Sequence, residues 1–222
     1  IETKGRIAHG SMPFLGDSAV RHMGAVLHAF EEELFPALDR KQTKMPVVPE
    51  GARRSTMNIN SIHGGQTEDF RPGLPSPTVP DTCRLVIDRR FLLEEKIDEV
   101  KSEVVTILDR LKRERSKFDY IINDLMEVLP TMTERDAPVV TAVAEGIRHI
   151  FGREPDYVIS PGTYDQKHIA RIGHLHDCIA YGPGILDLAH QPDEWVGIED
   201  MVQSANVMAI GLNALLKNSA SS

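Results

Sequence analysis

The spacing of apolar residues predicts two long amphipathic helices in the first half of the chain. Over residues 18–40 apolar side chains recur every three or four positions, among them Val20, Phe30 and Leu34, and residues 93–114 repeat this pattern. Such spacing places the apolar residues on one face of a helix. The acidic run at residues 31–33 falls on another face, where we expect it to be solvated.

The segments around these helices alternate or stay apolar over lengths typical of β-strands. Glycine and proline residues separate them, as in the turns that connect strands. The resulting order β-α-β-β-α-β is typical of the split βαβ, or ferredoxin-like, arrangement, in which two helices cover one antiparallel sheet. We therefore predict an α/β (α+β) domain over residues 1–129. Its four predicted strands are residues 3–8, 55–63, 82–91 and 118–129.

Residues 130–222 follow a different pattern. Three predicted helices, at residues 137–151, 165–171 and 198–217, alternate with short apolar strands at 156–160 and 177–181. This alternation is typical of the edge of an α/β sheet. Because two strands do not make a stable sheet, we expect this half to need further strands, supplied upstream or by a partner chain. The chain also opens directly into a strand without an initial methionine, so we expect it to begin inside a longer polypeptide.

The composition disfavours several classes of function. With 33 acidic against 25 basic side chains, the formal net charge is −8, which argues against binding to nucleic acid. No apolar run is long enough to cross a bilayer, and the first residues do not form a secretory signal. Cys83 and Cys178 lack metal-ligand spacing and fit reduced thiols. We expect a soluble, cytoplasmic protein without nucleic-acid or membrane partners.

One histidine stands on a loop between a glycine-rich turn and a helix. His190 lies in the stretch AHQPDE at residues 189–194, shortly after GPG at residues 182–184. A loop histidine can aim a ring nitrogen at a metal ion. The alternative is an ordinary start of a helix, because Asp193 and Glu194 carry negative charge that suits the first turn. The spacing by itself leaves both interpretations open.

Three motifs in a fixed order resemble the two-zinc family of aminoacylase, acetylornithine deacetylase, succinyl-diaminopimelate desuccinylase and carboxypeptidase G. They are KGRIAHGSMP at residues 4–13, VPDTC at 79–83 followed by DRR at 88–90, and the two runs around His190. The resemblance implies that residues 1–129 are the family's lid or dimerisation domain. Residues 130–222 then form the C-terminal part of its α/β zinc-peptidase catalytic domain, and the N-terminal catalytic segment is absent from this chain.

The resemblance assigns His190 as the C-terminal ligand of a site with two zinc ions, in which cobalt or manganese can substitute. The family's other ligands, a His-x-Asp motif, a bridging aspartate and a Glu-Glu pair, have no counterpart in the sequence. Because zinc takes about four ligands, we expect the isolated chain to be inactive and to retain no catalytic metal. Glu194 is expected to orient His190 or to serve the helix start. His174 and His176 would share one face of a strand, but no further ligand is evident nearby, which favours ordinary histidines.

The resemblance also implies a substrate site. His9 matches a histidine that reaches the active site of the other subunit and stabilises the oxyanion of the transition state. Arg90 matches an arginine that grips a substrate carboxylate with its planar fork. The alternative, from the residues alone, is an edge arginine paired with a surface acid. The remaining substrate-binding candidates are Asn58, Gly162, Thr163 and Gly182.

Taken with the resemblance, the sequence predicts a metal-dependent amidohydrolase. It would act as a deacylase or peptidase on N-acyl amino acids or small peptides with a free carboxylate. We expect a homodimer formed through the lid domain, by the exposed edge strand and first helix of its sheet. The alternative is a non-catalytic dimerisation module, or an inactive fragment that lacks the metal site.

Overall fold

The computed structural model describes residues 1–65, 77–160 and 164–219, and the chain divides into two compact units. The first unit consists of Ile1–Thr43 and Arg54–Glu127, and the second of Lys44–Arg53 and Val128–Ser222. The connector at residues 44–53 therefore leaves the first unit and belongs to the second. As a result, the backbone passes from one unit to the other three times, after residues 43, 53 and 127.

One four-stranded antiparallel sheet forms the centre of the first unit. Its strands are β1 (Glu2–Lys4), β2 (Thr56–Gly64), β3 (Thr82–Arg90) and β4 (Asp119–Ile121), in the spatial order β2-β3-β1-β4. This is the order of a ferredoxin-like sheet, and the predicted mixed α/β class is confirmed. β4 is shorter than predicted because it is an edge strand, and residues 122–129 that continue it pair with no strand in the described part of the chain.

The first predicted helix is confirmed, with a change of geometry near its end. It comprises α1 (Ala19–Ala29), a π-helical turn (Phe30–Leu34) and α2 (Phe35–Asp39). The N–H of Phe35 reaches the carbonyl of Phe30, five residues back, just before Pro36. Because proline has no N–H to donate, it interrupts regular α-helical bonding, and a π turn is one way for a helix to continue past the interruption.

The hydrophobic core of the first unit lies between its helices and one face of the sheet. α1 and α3 (Ile97–Glu114) contribute their apolar faces, as their spacing predicts, and β3 contributes Cys83 and Leu85. Burying each large apolar side chain stabilises the fold by roughly 1.5–3 kcal/mol. The largest fully buried side chains of this cluster are Phe30, Met23, Leu85, Leu108 and Val26.

A group of charged and polar side chains, which we name the Glu95 cluster, joins four segments of the first unit. Glu95, which precedes α3, is only 11% exposed. Burial alone would raise the pKa of its carboxyl, but the surrounding donors outweigh this effect and lower the pKa to about 2. Lys41 and Arg89 also bind Glu103 of α3, so each cation bridges two carboxylates. The donors to Glu95 are Lys41 Nζ at 2.8 Å, Arg89 Nη2 at 2.9 Å, the Leu92 N–H at 2.8 Å and the Ser55 hydroxyl.

The second unit contains the three predicted helices. They are α4 (Pro138–Phe151), α5 (Gln166–Gly173) and α6 (Ile198–Ser219). α4 and α6 pack closely where Gly146 faces Val207: a Cβ at Gly146 would lie 2.7 Å from the Val207 carbonyl oxygen, so only glycine fits. None of the helices in the described ranges combines the length and the apolar character that crossing a membrane requires.

The predicted strands at 156–160 and 177–181 are wrong: neither belongs to a sheet within the described residues. Ile159 makes a single parallel bridge to Val47, with its N–H donating to the Pro46 carbonyl at 2.9 Å. Cys178 is held instead by the Thr133 hydroxyl, which donates to its carbonyl at 2.7 Å. An apolar pattern favours an extended backbone, but a strand forms only where a neighbouring strand offers a continuous ladder of hydrogen bonds.

Replacing Gly24 with alanine is expected to stabilise the first unit. Gly24 is exposed in the middle of α1, and a Cβ there would meet no atom within 4 Å. Alanine therefore gains helix propensity without a clash, worth about 0.5–1 kcal/mol in the free energy of unfolding. The matched control is Gly152→Ala, because Gly152 ends α4 at φ 65°, where a Cβ costs roughly 1–2 kcal/mol. Urea unfolding that shows the same sign for both variants would contradict this prediction.

Loss of the Glu95 charge is expected to lower the free energy of unfolding at neutral pH, and to lower it less in acid. The carboxyl titrates near 2 in the folded protein and near its ordinary value of 4.5 when unfolded. A lowered pKa contributes stability above the unfolded value and loses it as pH falls toward the folded value, about 3 kcal/mol here.

This pH dependence can be measured with Glu95→Gln and the exposed control Glu99→Gln. Glu95→Gln should unfold at lower urea concentration than the unsubstituted chain at pH 7, and the difference should shrink between about pH 4.5 and pH 2. Glu99, whose side chain is 69% exposed, should give little difference at either pH. A difference for Glu95→Gln that stays constant from pH 7 to pH 2.5 would exclude the proposed ionisation.

Candidate active site

His9 lies on a loop that is fixed at both ends by backbone contacts. Arg6 and Asp17 exchange two backbone hydrogen bonds of 2.8 Å, and the carbonyl of Ala8 accepts the Val79 N–H at 2.8 Å. The glycines of this motif allow the two backbone segments of the loop to approach each other closely. A Cβ at Gly5 would lie 2.3 Å from the Asp17 carbonyl oxygen, so any other residue would push the loop open.

The ring of His9 is exposed and has a defined hydrogen-bonding pattern. Its Nδ1 accepts the Ser11 backbone N–H at 3.2 Å and lies 2.8 Å from the Ser11 hydroxyl. A backbone N–H can only donate, so Nδ1 is the unprotonated nitrogen and the neutral ring carries its proton on Nε2. His9 therefore presents an N–H donor to solvent, the group that an oxyanion would need.

A buried histidine that the sequence did not single out anchors the end of this loop. His22 of α1 is 4% exposed, and its Nε2 lies 2.9 Å from the Asp17 carboxylate. The ring also meets the edge of Phe118, with the centroids 5.4 Å apart. The signal that could have identified this pair is an aspartate just before a helix and a histidine one turn into it. The pair therefore supports the loop that carries His9.

Arg90 and Asn58 lie together on the open face of the sheet. Arg90 donates to the Asp88 carboxylate through Nε at 3.1 Å and Nη2 at 2.7 Å. Asn58 is the cross-strand partner of Asp88, and its side chain donates to Asn60 at 2.7 Å. Arg89 points to the opposite face, as alternation predicts, and joins the Glu95 cluster. The guanidinium of Arg90 thus has a surface acid as one partner, the alternative that the residues alone left open.

His9 and Arg90 lie toward opposite ends of this sheet. β3 runs from Thr82 to Arg90, which spans roughly 26 Å at the usual rise per residue. His9 makes its bridge to Thr78, before β3 begins. A small substrate that touches Arg90 is therefore out of reach of His9 in the same copy of the first unit.

The loop around His190 is shaped by its own hydrogen bonds. A 3-10 turn (Leu186–Leu188) precedes His190, and both His190 and Asp193 adopt left-handed backbone conformations, with φ of 63° and 62°. The Glu194 carboxylate accepts the backbone N–H of His190 at 3.1 Å. Glu194 therefore holds the turn that carries His190 rather than capping α6, which begins at Ile198.

The described residues do not form a complete metal site. They contain no group of three or more histidine, cysteine, aspartate or glutamate side chains arranged to hold an ion. His190 supplies one imidazole, which is too few for zinc. His174, exposed at the left-handed end of α5 with φ 54°, does not lie on a strand with His176. Gly182 is exposed in the same unit, whereas Gly162 and Thr163 lie outside the described residues.

Comparison with known proteins places the first unit in a family. A model of the peptidase dimerisation domain of the M20 group matches residues 1–116, more than half of the chain. Acetylornithine deacetylase from Myxococcus xanthus is 27% identical over 211 residues, which are 94% of this chain and 50% of that protein. Succinyl-diaminopimelate desuccinylase from Marinobacter nauticus is 26% identical, over 90% of this chain and 46% of its own. The chain spans about half the length of the curated relatives that it matches.

Solved structures agree with this assignment at the level of the fold. A di-peptidase from Saccharomyces cerevisiae superposes with a TM-score of 0.66 at 15% identity, covering 96% of this chain and 53% of its own. The aminopeptidase PepT from Bacillus cereus gives a TM-score of 0.61 at 19% identity, over 97% of this chain and 50% of its own. The predicted family is therefore confirmed, and the chain belongs to the M20 peptidase dimerisation-domain family.

Proposed function

We propose that these residues belong to a metal-dependent amidohydrolase that acts as a deacylase or peptidase on an N-acyl amino acid or small peptide with a free carboxylate. The observation that carries the proposal is the rigid presentation of His9, with its Nε2–H exposed on a loop fixed by close glycine contacts. Relatives named acetylornithine deacetylase and succinyl-diaminopimelate desuccinylase support it. In this proposal residues 1–129 are the lid and residues 130–222 are the C-terminal part of the catalytic domain.

Each candidate residue then has a chemical role. Arg90 binds the substrate carboxylate, because its planar guanidinium can donate two parallel hydrogen bonds. Asn58 lies on the same open face. Gly182 of the second unit is a further candidate for substrate binding, as are Gly162 and Thr163, which lie outside the described residues. His9 donates from Nε2 to the oxygen on which negative charge grows in the transition state.

The proposed metal site needs ligands from outside the described residues. His190 supplies one ligand of a pair of zinc ions, whose place cobalt or manganese can take. Glu194 orients that ligand through the His190 backbone N–H. The chain spans about half of its relatives, which supports a source for the other ligands in additional polypeptide. On this proposal the 222-residue chain alone neither holds the metal pair nor catalyses.

A homodimer follows from the separation of His9 and Arg90. If both act on one small substrate, they come from different copies of the chain. β2 lies at an edge of the sheet and offers backbone groups for pairing with a second copy. The neighbouring α1 exposes Val20, an apolar side chain available for contact with a second copy.

The proposed setting is cytoplasmic, with no nucleic-acid or membrane partner. The net charge of −8 disfavours nucleic acid. Cys83 and Cys178 are both free thiols, as expected where thiols stay reduced. The ligand in this proposal is therefore a small molecule that carries a carboxylate.

Replacing His9 with alanine in the full-length protein is expected to lower kcat by about 10²–10³-fold, because one donor to the oxyanion is lost. KM and metal content should change little, since His9 binds neither the metal nor the ground-state carboxylate. The measurement is steady-state hydrolysis of N-acyl amino acids together with metal analysis. Unchanged kcat would remove His9 from the mechanism.

Mixing two impaired variants tests whether His9 and Arg90 come from different copies. On this proposal the His9→Ala and Arg90→Ala homodimers each keep little activity. Random exchange of subunits makes half of the dimers mixed, each with one intact site, so the mixture should recover about a quarter of the original activity. No recovery, with mixed dimers present by native mass spectrometry, would place the two residues in one copy.

Metal analysis separates the proposed hydrolase from a non-catalytic dimerisation module. The full-length protein is expected to hold about two zinc ions per active site, and the 222-residue chain to hold no stoichiometric zinc. Intact-mass spectrometry of the same samples identifies the polypeptides present. A full-length protein that dimerises but binds no zinc, cobalt or manganese would favour the non-catalytic module.

A further inference from the structure

The end of β3 places two adjacent arginines on opposite faces of the sheet. Arg90 lies on the open face with its side chain 49% exposed, whereas the side chain of Arg89 is 9% exposed on the helix-covered face. Arg89 donates through Nη1 to the carbonyl oxygen of Arg90. The buried arginine therefore binds the backbone of the exposed one, and whatever fixes Arg89 also fixes the point from which the Arg90 side chain leaves the strand.

Arg89 is itself fixed by two carboxylates. Its Nη2 lies 2.9 Å from Glu95 and 3.1 Å from Glu103. Glu95 can hold Arg89 in one place because Lys41, Ser55 and the Leu92 N–H occupy its remaining acceptor positions. With four donors around it, the Glu95 side chain has one favoured rotamer. The cluster therefore acts as a rigid support for Arg89.

Stability alone does not account for the buried ion pairs of Arg89, whereas the need to hold Arg90 in a fixed position does. Replacing a buried ion pair by apolar side chains of similar size often leaves a fold equally stable or more stable. A carboxylate-binding arginine, in contrast, needs a fixed position, because a displacement of about 1 Å at a binding group can reduce a rate by two orders of magnitude. Asp88 holds the outer end of the Arg90 guanidinium, and Arg89 holds its backbone.

We propose that Glu95 is a positioning residue for Arg90, acting through Arg89. The inference rests on the proposed role of Arg90 as the group that binds the substrate carboxylate. Glu95 touches no ligand: it fixes the Arg89 guanidinium, which fixes the Arg90 carbonyl and so the direction of the Arg90 side chain. The same cluster includes Lys41 and Ser55, which stand on either side of residues 44–53 where the chain leaves and re-enters the first unit.

Two variants and one matched control separate this role from general stability. Glu95→Gln removes the charge that holds Arg89. Arg89→Lys keeps a positive charge for Glu95 and Glu103 but loses the planar fork that also reaches the Arg90 carbonyl. Glu94→Gln is the control, because Glu94 is a neighbouring exposed acid that accepts from Thr43 at 2.6 Å. Among the bonds between described residues, none joins Glu94 to Arg89 or Arg90.

The first measurement uses the 222-residue chain and needs no activity. The Nε–Hε NMR signal of Arg90, assigned by its loss in Arg90→Lys, reports the hydrogen bond to Asp88. Its exchange with solvent is expected to rise by about 10-fold in Glu95→Gln and in Arg89→Lys, and to stay unchanged in Glu94→Gln. Unchanged exchange in folded Arg89→Lys overturns the proposal, even if Glu95→Gln fails to fold.

The second measurement uses the full-length protein with N-acetyl-L-ornithine and its carboxamide as probes. Glu95→Gln and Arg89→Lys should weaken binding of the carboxylate by about 10-fold, while binding of the carboxamide stays the same. In the Arg90→Ala background neither substitution should weaken carboxylate binding further. Equal losses for both probes mean a merely structural role and overturn the proposal. If Arg90→Ala leaves carboxylate binding intact, the proposed function of Arg90 fails, and the NMR result still decides whether Glu95 positions it.

Discussion

The first unit depends on the pairing of β3 with strands on both sides. β3 is the strand that joins β1 to β2, and its alternating side chains feed the core through Cys83 and Leu85 on one face. The other face carries Asp88 and Arg90. Because the strand is nine residues long, it also sets the distance between the loop of His9 and the end of the sheet where Arg90 lies. One element therefore contributes to the core, carries Asp88 and Arg90 on its open face, and separates the two candidate groups.

Much of this unit could be predicted because its pattern is local. Apolar residues every three or four positions indicated α1 and α3, and alternation placed Arg89 and Arg90 on opposite faces. The Glu95 cluster could not be predicted in this way. The sequence pattern placed Glu94, Glu95 and Lys96 at the start of the predicted helix 93–114, but α3 begins at Ile97. Only the fold brings Lys41, Ser55 and Arg89 to the Glu95 carboxylate. Long-range ion pairs leave no period in a sequence.

In the described part of the second unit, the sequence pattern predicted the helices but not the absence of strands. Its helices were predicted correctly, since a helix satisfies its own backbone hydrogen bonds. The apolar runs at 156–160 and 177–181 have a strand-like composition, but a ladder requires neighbours that sequence pattern does not reveal. The candidate site divides in the same manner. The loop of His9 is completed by contacts within its own unit. For His190, the described residues show a bond from its backbone N–H to Glu194, and they contain no group of three or more possible metal-ligating side chains.

The path of the chain has a practical meaning for protein engineering. Residues 44–53 are enclosed on both sides by the first unit in sequence, yet they belong to the second. A single cut near residue 127 would not yield two independent modules. It would leave residues 44–53, which belong to the second unit, on the piece that carries the first unit. Exchange of a whole module between relatives must therefore replace two pieces of chain together, and a swap that moves only the C-terminal piece would pair residues 44–53 with a surface they were not selected to fit.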